Sequence, residues 1–495
     1  PWGDQPQNFV PVAMMDSIYR NHSTPMITWE PWQNLFRGSS GQKDEHMLAN
    51  ITAGRYDDYI IRVAGQLRAL NRPVFLRFAH EADNPFYPWS AAGGNTPEDF
   101  KAAWRYLHEL FITHGAWNVI WVWNPWKPET AAAYFPGKAY VDWIGVTGLN
   151  YGRYNTAGRS FSFKQLYTPF HQLALNRQGI PVMIAEMGAV KDGQAQPAWL
   201  QAAVSSIRAD FHEVKAIVLF NSAFDKNVPD QQAAMINWQQ DSLGTMAAFT
   251  VKHHLPVAPA AAANRRPDNL NNEKRFAFNI RGVTYQKGQH WYGNEYAITR
   301  QVILNDFKAI RHAGFNTVKV YGPGIYDHVT FQAARETGLS VYYSFWVPGP
   351  AVWMADGKKL NRLARQIVST VASLKDNESI QCWNIGNCTF QQMNDVYLQP
   401  ELFYRRQAYM EWLKDLIQQI KKVDPSRAVT VDVSVAHDLR NTVASLHDQV
   451  PEIDAFGLVL KENLEDTAQI SKLPAPYYFS STKPALYFKL PDTHT

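Results

Sequence analysis

Residues 72–89 read RPVFLRFAHEADNPFYPW, an apolar run that ends on a histidine and a glutamate and continues into aromatic residues. The segment 73–79 has the length and composition of a buried strand. In barrels of parallel strands, the chemistry lies at the C-terminal ends of the strands. The stretch therefore predicts a strand that carries Glu81 to the mouth of such a barrel.

Similar short apolar runs recur through the first half of the chain, with helical patterns such as 97–113 and 198–209 between them. This alternation is typical of βα units and a parallel sheet. The predicted strands of the first half are 9–15, 25–30, 73–79, 118–123, 141–149, 181–185 and 216–221.

The amino-acid composition changes at 256–275. This segment is rich in Ala and Pro and then in Asn and charged residues, which is typical of a linker. The alternation then restarts, and a predicted helix at 301–313 ends before Gly314. The predicted strands of the second half are 277–285, 316–321, 339–346, 379–385, 428–434, 454–460 and 484–488.

The predicted fold class is α/β, with two tandem (β/α)8 TIM-type barrels. Each half shows seven strand patterns where a closed barrel needs eight, so we expect each barrel to lack a terminal strand in this chain. The first half lacks one at its beginning and the second at its end. We therefore expect an internal or trimmed piece of a longer polypeptide. The predicted domains are 1–255 and 276–495, joined by the linker 256–275.

The composition of the 495-residue chain narrows the classes of protein. Lys and Arg exceed Asp and Glu by only 48 − 44 = 4, which argues against a nucleic-acid binder. Two cysteines exclude a disulfide framework and a cysteine-rich zinc site. Twelve of the 17 tryptophans precede residue 240. Such an excess indicates either flat stacking platforms or a large packed core.

Two predicted strands of the first half end in glutamate, Glu81 and Glu186. Glycoside hydrolysis requires two carboxyl groups that face one sugar: one protonated, to donate to the leaving oxygen, and one ionised. The alternative is that each glutamate pairs with an arginine at its strand end. Two glutamates at separate strand ends, both beside aromatic residues, favour the catalytic interpretation.

The segments RFAHE, YPW, WVWNP, YVDWIGVTGLNYG, PVMIAEMG and INWQQDS resemble glycoside hydrolase family 26 in order and spacing over residues 10 to 250. The resemblance implies a retaining endo-β-glycanase acting on β-mannan, mixed-linkage β-glucan or β-1,3-xylan. By matching position it implies Glu81 as the acid/base and Glu186 as the nucleophile. It also implies His80 as the histidine before the acid, and Tyr151 as a hydrogen-bond donor to the nucleophile.

Two features depart from the family pattern. The acid is usually followed there by Met-Asn-Gly, but here by Ala82-Asp83-Asn84, which puts substrate choice in doubt more than chemistry. The family commonly has a tryptophan at the end of the eighth strand, where this chain has Phe220, a smaller platform.

Several residues near the predicted strand ends are candidates for sugar binding. Each tryptophan among them has core packing as its alternative, and Glu30 has an ion pair with Arg77. The candidates are Glu30, Trp32, Trp89, Trp123, Trp126 and Phe220. Burial beside Trp89 and Trp123 is expected to raise the pKa of Glu81 and keep it protonated.

The second half resembles the wider clan of glycosidase barrels, families 5 and 2 in particular, in FNIRGVTY, FNTVKVYG and CWNIGN. That clan places Asn-Glu at the end of the fourth strand, where this chain has Asn387-Cys388. Aligning Pro484 with Pro181 places Lys489 at the position of the nucleophile. We therefore expect a degenerate barrel without hydrolase activity. A Cys/Lys pair for other chemistry is the alternative.

The predicted function is a retaining endo-β-glycanase that needs no metal or cofactor and binds a β-glycan polysaccharide or oligosaccharide. A β-1,3/1,4-glucan is the favoured substrate, because the Tyr87-Pro88-Trp89 stretch looks more like that of the glucan-cleaving relatives, and β-mannan is second. The expected location is extracellular or periplasmic, or at a membrane through parts outside this chain. The rival hypothesis is a pair of non-catalytic polysaccharide-binding modules in a synthesis or export assembly.

Overall fold

The computed structural model describes residues 10–31, 45–173, 179–191, 195–225, 236–239, 280–287, 298–349, 357–436, 438–460 and 470–482. The chain divides into two compact units, Pro1–Ala260 and Ala261–Thr495. Both units alternate helices with strands that pair only in parallel, which confirms the predicted α/β class.

The described part of the N-terminal unit holds a sheet in which each strand lies beside the next one along the chain. This order is that of a (β/α) barrel, since a doubly wound sheet reverses its order at a switch point. The strands are β1 (Met26–Trp29), β2 (Val74–Phe78), β3 (Val119–Trp123), β4 (Trp143–Asn150), β5 (Val182–Ala189) and β6 (Val214–Leu219). The helices are α1 (Val12–Arg20), α2 (Met47–Thr52), α3 (Asp57–Leu70), α4 (Pro97–Thr113), α5 (Pro128–Tyr134), α6 (Phe163–His171) and α7 (Ala195–Asp210).

Alternate strand residues of this unit face two different cores. One face packs against the helices, as Leu76, Trp121 and Ile184 do. The other face forms a separate inner cluster of Phe75, Ile120, Val122, Trp143, Met183 and Ala185. The period of two along a strand therefore decides which side chains point into the barrel.

The predicted strand at 9–15 is wrong, because Val12–Arg20 is helix α1. Met15 and Tyr19, four residues apart, are its buried residues, which is the spacing of one helix face. A short apolar run does not distinguish the two periods without its partners. The described N-terminal unit consequently has six strands, one fewer than predicted.

The described part of the C-terminal unit holds seven parallel strands, again in chain order. They are β7 (Gly282–Thr284), β8 (Thr317–Gly322), β9 (Ser340–Phe345), β10 (Ile380–Ile385), β11 (Ala428–Ser434), β12 (Ala455–Leu460) and β13 (Tyr477–Thr482). The helices are α8 (Arg300–His312), α9 (Asp327–Thr337), α10 (Gly357–Leu374), α11 (Thr389–Gln392), α12 (Glu401–Val423) and α13 (Leu439–Gln449). Along the described residues, no helix combines the length and apolar character of a membrane span.

The last strand of this sheet differs from the prediction. The strand beside β12 is β13, formed by the run YYFSST, for which we predicted no strand. The predicted strand 484–488 and Lys489 lie outside the described residues, as does the linker 256–275. The alignment of Pro484 with Pro181 therefore does not use the strand that pairs with β12.

Candidate active site

Glu81 lies three residues after the end of β2 in a strained backbone conformation. Its φ is +51°, and that of Ala79, two residues earlier, is +41°; both lie in the left-handed region that residues other than glycine rarely adopt. The backbone N–H of Glu81 donates to the carbonyl of Asn124, which follows β3, over 2.7 Å. Such strain persists where surrounding contacts enforce it, and functional sites are where it concentrates.

The carboxyl group of Glu81 is buried and receives two hydrogen bonds. Thr147 Oγ1 on β4 donates to Oε1 over 2.7 Å, and Asn84 Nδ2 donates to Oε2 over 2.9 Å. Burial is the largest influence on this group and raises the pKa of Glu81, while the two donors oppose that shift. This is the direction expected for a general acid, although Thr147 and Asn84 were not among the predicted site residues.

Glu186 lies within β5, and a bulge decides which way it points. Val146 of β4 pairs with Ile184, but the next residue, Thr147, pairs with Glu186, so Ala185 is an extra residue in β5. Without it, strict alternation would place Glu186 on the same face as Ile184, towards the helices. The extra residue turns Glu186 to the inner face of the barrel, as bulges next to active sites commonly do.

Arg77 on β2 joins the two halves of the site. Its Nη2 donates to Glu186 Oε1 over 2.6 Å, and its other donors reach Thr28 on β1 and Asn124. The arginine is almost fully buried, so its charge depends on the half-buried Glu186 carboxylate for compensation. Thr147 bonds Glu81 and pairs with Glu186, which brings both glutamates to one end of the barrel.

The contacts of Arg77 and Tyr151 bear on three expectations drawn from the sequence. Glu186 does have an arginine partner, so the structural alternative and the catalytic interpretation are both compatible with its contacts. No described hydrogen bond joins Tyr151 to Glu186; Tyr151 packs edge-on against Trp238, with ring centroids 4.9 Å apart. The proposed Glu30–Arg77 ion pair is not formed among the described contacts, because Arg77 is occupied by Glu186.

Glu30, directly after β1, and His80, two residues after β2, lie beside each other in the site. The Glu30 Oε1 atom lies 3.9 Å from His80 Nδ1, too far for a hydrogen bond, and that nitrogen is buried without a partner. Burial, helped by Arg77, lowers the pKa of His80 to about 3, so the ring is neutral. Burial also raises the pKa of Glu30. His80 Nε2 instead contacts the Tyr87 hydroxyl over 3.2 Å.

Two of the predicted sugar platforms, Trp89 and Trp123, are core residues. Trp89 is completely buried, donates to the His80 carbonyl and stacks on Tyr87. Trp123 faces the helices and packs edge-on against Phe135. Neither ring can offer a face to a sugar, so both predictions are wrong.

The remaining candidates keep part of a side chain accessible. Trp126, Phe220 and Glu30 are half-buried, and Trp32 lies outside the described residues. Phe86 was not among the predicted binding residues, yet it is 83% exposed on the loop that follows Glu81. A large exposed aromatic side chain beside a site of this kind is a candidate for contact with a ligand. The sequence alone did not distinguish Phe86 from an aromatic residue of the core.

Asp83 ties the loop after β2 to the loop after β3. Its carboxylate accepts from the backbone N–H of Trp126 over 2.7 Å, from that of Lys127 over 3.0 Å and from Thr130 Oγ1 over 2.5 Å. The Lys127 ammonium lies 4.0 Å from the centre of the Trp126 ring. Asp83 therefore holds Trp126 in place near Glu81.

Replacing Asp83 with alanine is expected to raise the KM for oligosaccharides several-fold and to lower the free energy of unfolding by about 1–2 kcal/mol. The reason is that three donors of the Trp126 loop lose their acceptor. Steady-state kinetics and urea unfolding measure the two effects. Asp99→Ala is the matched control, because Asp99 caps α4 through Thr96 and touches no site residue; an equal rise in KM there would contradict the prediction.

The C-terminal unit has no carboxylate at the end of its fourth strand. Asn387 and Cys388 follow β10 with φ angles of 86° and 53°, and Asn387 donates to the Val347 carbonyl over 2.6 Å. Cys382 and Cys388 are both buried, and neither is in a disulfide. Trp383 on β10 is buried and donates a hydrogen bond to Asp424, so it belongs to the core.

A polar network fills the interior of this second sheet. Lys319 Nζ donates to Asp432 Oδ2 and to Ser480 Oγ, each over 2.6 Å, and Asn384 donates to Asp432 Oδ1 over 3.0 Å. All four residues are buried. Because the charges and donors are paired with one another, this network stabilises the barrel interior and presents no free catalytic group.

Neither unit gathers metal ligands in its described part: no three His, Cys, Asp or Glu side chains lie together there as an ion would require. The groups at the mouth of the first barrel are the carboxyls of Glu81, Glu186 and Glu30, the guanidinium of Arg77 and neutral donors. Such a set suits proton transfer and attack on an electrophilic carbon.

Comparison with known proteins agrees with this geometry. Residues 23–218 match the family model Glycosyl hydrolase family 26. The chain is 33% identical over 215 residues to Endoglucanase H of Acetivibrio thermocellus, a match that covers 42% of this chain and 22% of that protein.

Two further relatives carry other names. Beta-1,3-xylanase TXYA of a Vibrio species is 28% identical over 174 residues, covering 31% of this chain and 35% of the xylanase. A mannan endo-1,4-beta-mannosidase of Thermothelomyces thermophilus is 35% identical over 78 residues, or 16% of this chain and 15% of that enzyme. The chain thus spans about a third or less of the length of these relatives. The N-terminal region of the chain, over residues 23–218, is therefore similar to glycosyl hydrolase family 26.

Proposed function

We propose that the N-terminal unit is a retaining endo-β-glycanase in which Glu81 is the acid/base and Glu186 the nucleophile. The observation that carries the proposal is the shared contact with Thr147, which bonds Glu81 and pairs with Glu186 across β4 and β5. Two carboxyl groups at one barrel mouth, in different electrostatic surroundings, are what double displacement needs.

The two glutamates divide the chemistry. Protonated Glu81 gives its proton to the glycosidic oxygen as the bond to the anomeric carbon breaks, while the Glu186 carboxylate forms a bond to that carbon. Glu81, now ionised, then takes a proton from a water molecule whose oxygen displaces Glu186 and completes hydrolysis. Burial of Glu81 supports its protonated starting state, and the ion pair with Arg77 supports the negative charge of Glu186.

We propose β-1,3/1,4-glucan as the preferred substrate, with β-mannan second. The relatives named an endoglucanase, a xylanase and a mannosidase span the substrate classes to be tested. The Tyr87-Pro88-Trp89 stretch supports glucan because it looks more like that of the glucan-cleaving relatives; in the structure the rings of Tyr87 and Trp89 stack with their centroids 4.5 Å apart. The working location we propose is extracellular or periplasmic, where such polysaccharides occur.

Release of reducing sugar from mixed-linkage β-glucan, galactomannan and β-1,3-xylan, measured side by side, tests the proposal. We expect the highest kcat/KM on mixed-linkage glucan, and products that keep the β-configuration when followed by proton NMR. No turnover on any of the three would contradict the enzyme and favour a polysaccharide-binding role. Turnover with inversion would remove Glu186 as a nucleophile.

For the C-terminal unit we propose a non-hydrolytic role. Asn387-Cys388 at the end of β10 supports this, because a thiol is a poor proton donor to a leaving oxygen. The Glu81→Gln variant of the whole chain tests it: residual hydrolysis should be absent, and activity that survives this substitution would have to come from elsewhere in the chain.

A further inference from the structure

Asn84 links the carboxyl group of Glu81 to the loop that follows it. Its Nδ2 donates to Glu81 Oε2 over 2.9 Å, and its Oδ1 accepts from the backbone N–H of Phe86 over 3.1 Å. The side chain is buried. Its backbone completes the turn, since the Asn84 N–H donates to the Glu81 carbonyl and the Asn84 carbonyl accepts from Tyr87.

These contacts leave the amide one orientation. The Phe86 N–H can only donate, so the group that faces it must be the amide oxygen. The amide nitrogen then has to face Glu81. Asn84 therefore always presents a donor to this carboxyl group, and a donor favours the ionised form of a carboxyl group over the protonated one.

This donor is a departure of the present chain from the pattern it otherwise resembles. The family usually has glycine at the third position after the acid, where this chain has Asn84. Glycine has no side chain and offers no such hydrogen bond. The contact is therefore a property of this chain's own sequence.

We propose that Asn84 is a positioning residue for Glu81: its amide fixes the orientation of the carboxyl group and favours its ionised state, which moves the working range of the enzyme to lower pH. The inference rests on the proposed role of Glu81. It predicts a stronger acid towards the leaving oxygen and a smaller protonated fraction at neutral pH than glycine at this position would allow.

The other groups that act on Glu81 come from β2, β4, β5 and the segments after β2 and β4. Arg77 on β2 favours the ionised form, Glu186 on β5 opposes it, and Thr147 on β4 donates to the other oxygen. The hydroxyls of Tyr87, in the loop after β2, and of Tyr151, after β4, lie close enough to interact with the Glu81 charge. Among the described hydrogen bonds, none joins the side chain of Asn84 to the side chain of any of these residues, so replacing Asn84 tests one donor.

Two substitutions test the inference. Asn84→Gly removes the donor, and we expect the basic limb of the kcat/KM profile to move up by roughly one pH unit, because the ionised carboxylate loses one hydrogen bond. Asn84→Asp keeps an acceptor for the Phe86 N–H but replaces the donor with a negative charge. We expect a larger upward shift there, since two adjacent carboxylates resist ionisation together.

Asn377→Gly is the matched control. Asn377 Oδ1 likewise accepts a hydrogen bond from the backbone N–H two residues later, that of Ser379, but Asn377 lies in the C-terminal unit. We expect this variant to leave the basic limb where it is. A purely structural role for Asn84 would lower kcat or stability without moving that limb.

A carbon-13 NMR titration of glutamate carboxyls separates this inference from the proposed function. The Glu81 signal is identified by its absence in Glu81→Gln, and its midpoint should rise in both Asn84 variants whether or not turnover is observed. A midpoint and a basic limb that stay unchanged in both variants would overturn the inference alone. An inactive wild type with a shifted midpoint would overturn the proposed catalysis and leave the role of Asn84 standing.

Discussion

Glu186→Ala is expected to lower kcat on mixed-linkage glucan by about 10⁴-fold or more, because the proposed mechanism loses the carboxylate that attacks the anomeric carbon. The fold should survive with reduced stability, because Arg77 loses its buried partner while the bulge at Ala185 is a backbone feature. Release of reducing sugar, with circular dichroism of the same sample, measures both outcomes.

Azide sharpens the test of the nucleophile. The substitution vacates the space of the carboxylate, and azide entering it can attack the glycosyl carbon in a single displacement, which gives an α-glycosyl azide. Glu186→Gln is the companion variant, since it keeps an oxygen acceptor for Arg77 but does not open that space. We expect azide to restore turnover in the alanine variant only. Undiminished hydrolysis by either variant would end the assignment of Glu186.

Arg77→Met is expected to lower the free energy of unfolding of the N-terminal unit by about 3–5 kcal/mol, with a fall in kcat. The substitution leaves the Glu186 carboxylate without its cation, and Thr28 and Asn124 lose a buried donor. Chemical unfolding of the purified chain, followed by tryptophan fluorescence, measures the stability, because the tryptophans are concentrated in this unit.

A double substitution identifies the cause. In Arg77→Met combined with Glu186→Gln no buried charge remains unpaired, so we expect much of the lost stability to return, with a coupling energy of about 1–3 kcal/mol. Arg105→Met is the control, since Arg105 is exposed and binds the Pro136 carbonyl. Losses that simply add in the double variant would show that the ion pair is not the source of the effect.

The sequence by itself determined the class of the fold and the positions of the two glutamates. The strands that carry the site are buried runs with few polar residues, and runs of this kind separated by helices form parallel sheets. Glu81 and Glu186 stand out because each interrupts or ends such a run. The sequence also showed that the second half has Cys388 where the clan it resembles has a glutamate at the end of the fourth strand.

The tertiary structure alone decided how these residues act. Arg77 and Glu186 are 109 residues apart, so nothing local tells Arg77 to bind Glu186 and not Glu30. The extra residue Ala185 turns Glu186 into the barrel, and it is visible only against the register of β4. Trp89 and Trp123 have the composition of sugar platforms but face the core. The facing and pairing of side chains depend on contacts between distant strands, which a local stretch of sequence does not contain. Apolar runs are local, so most strands were predictable, although the run at 9–15 lies in part in helix α1 and β13 was missed.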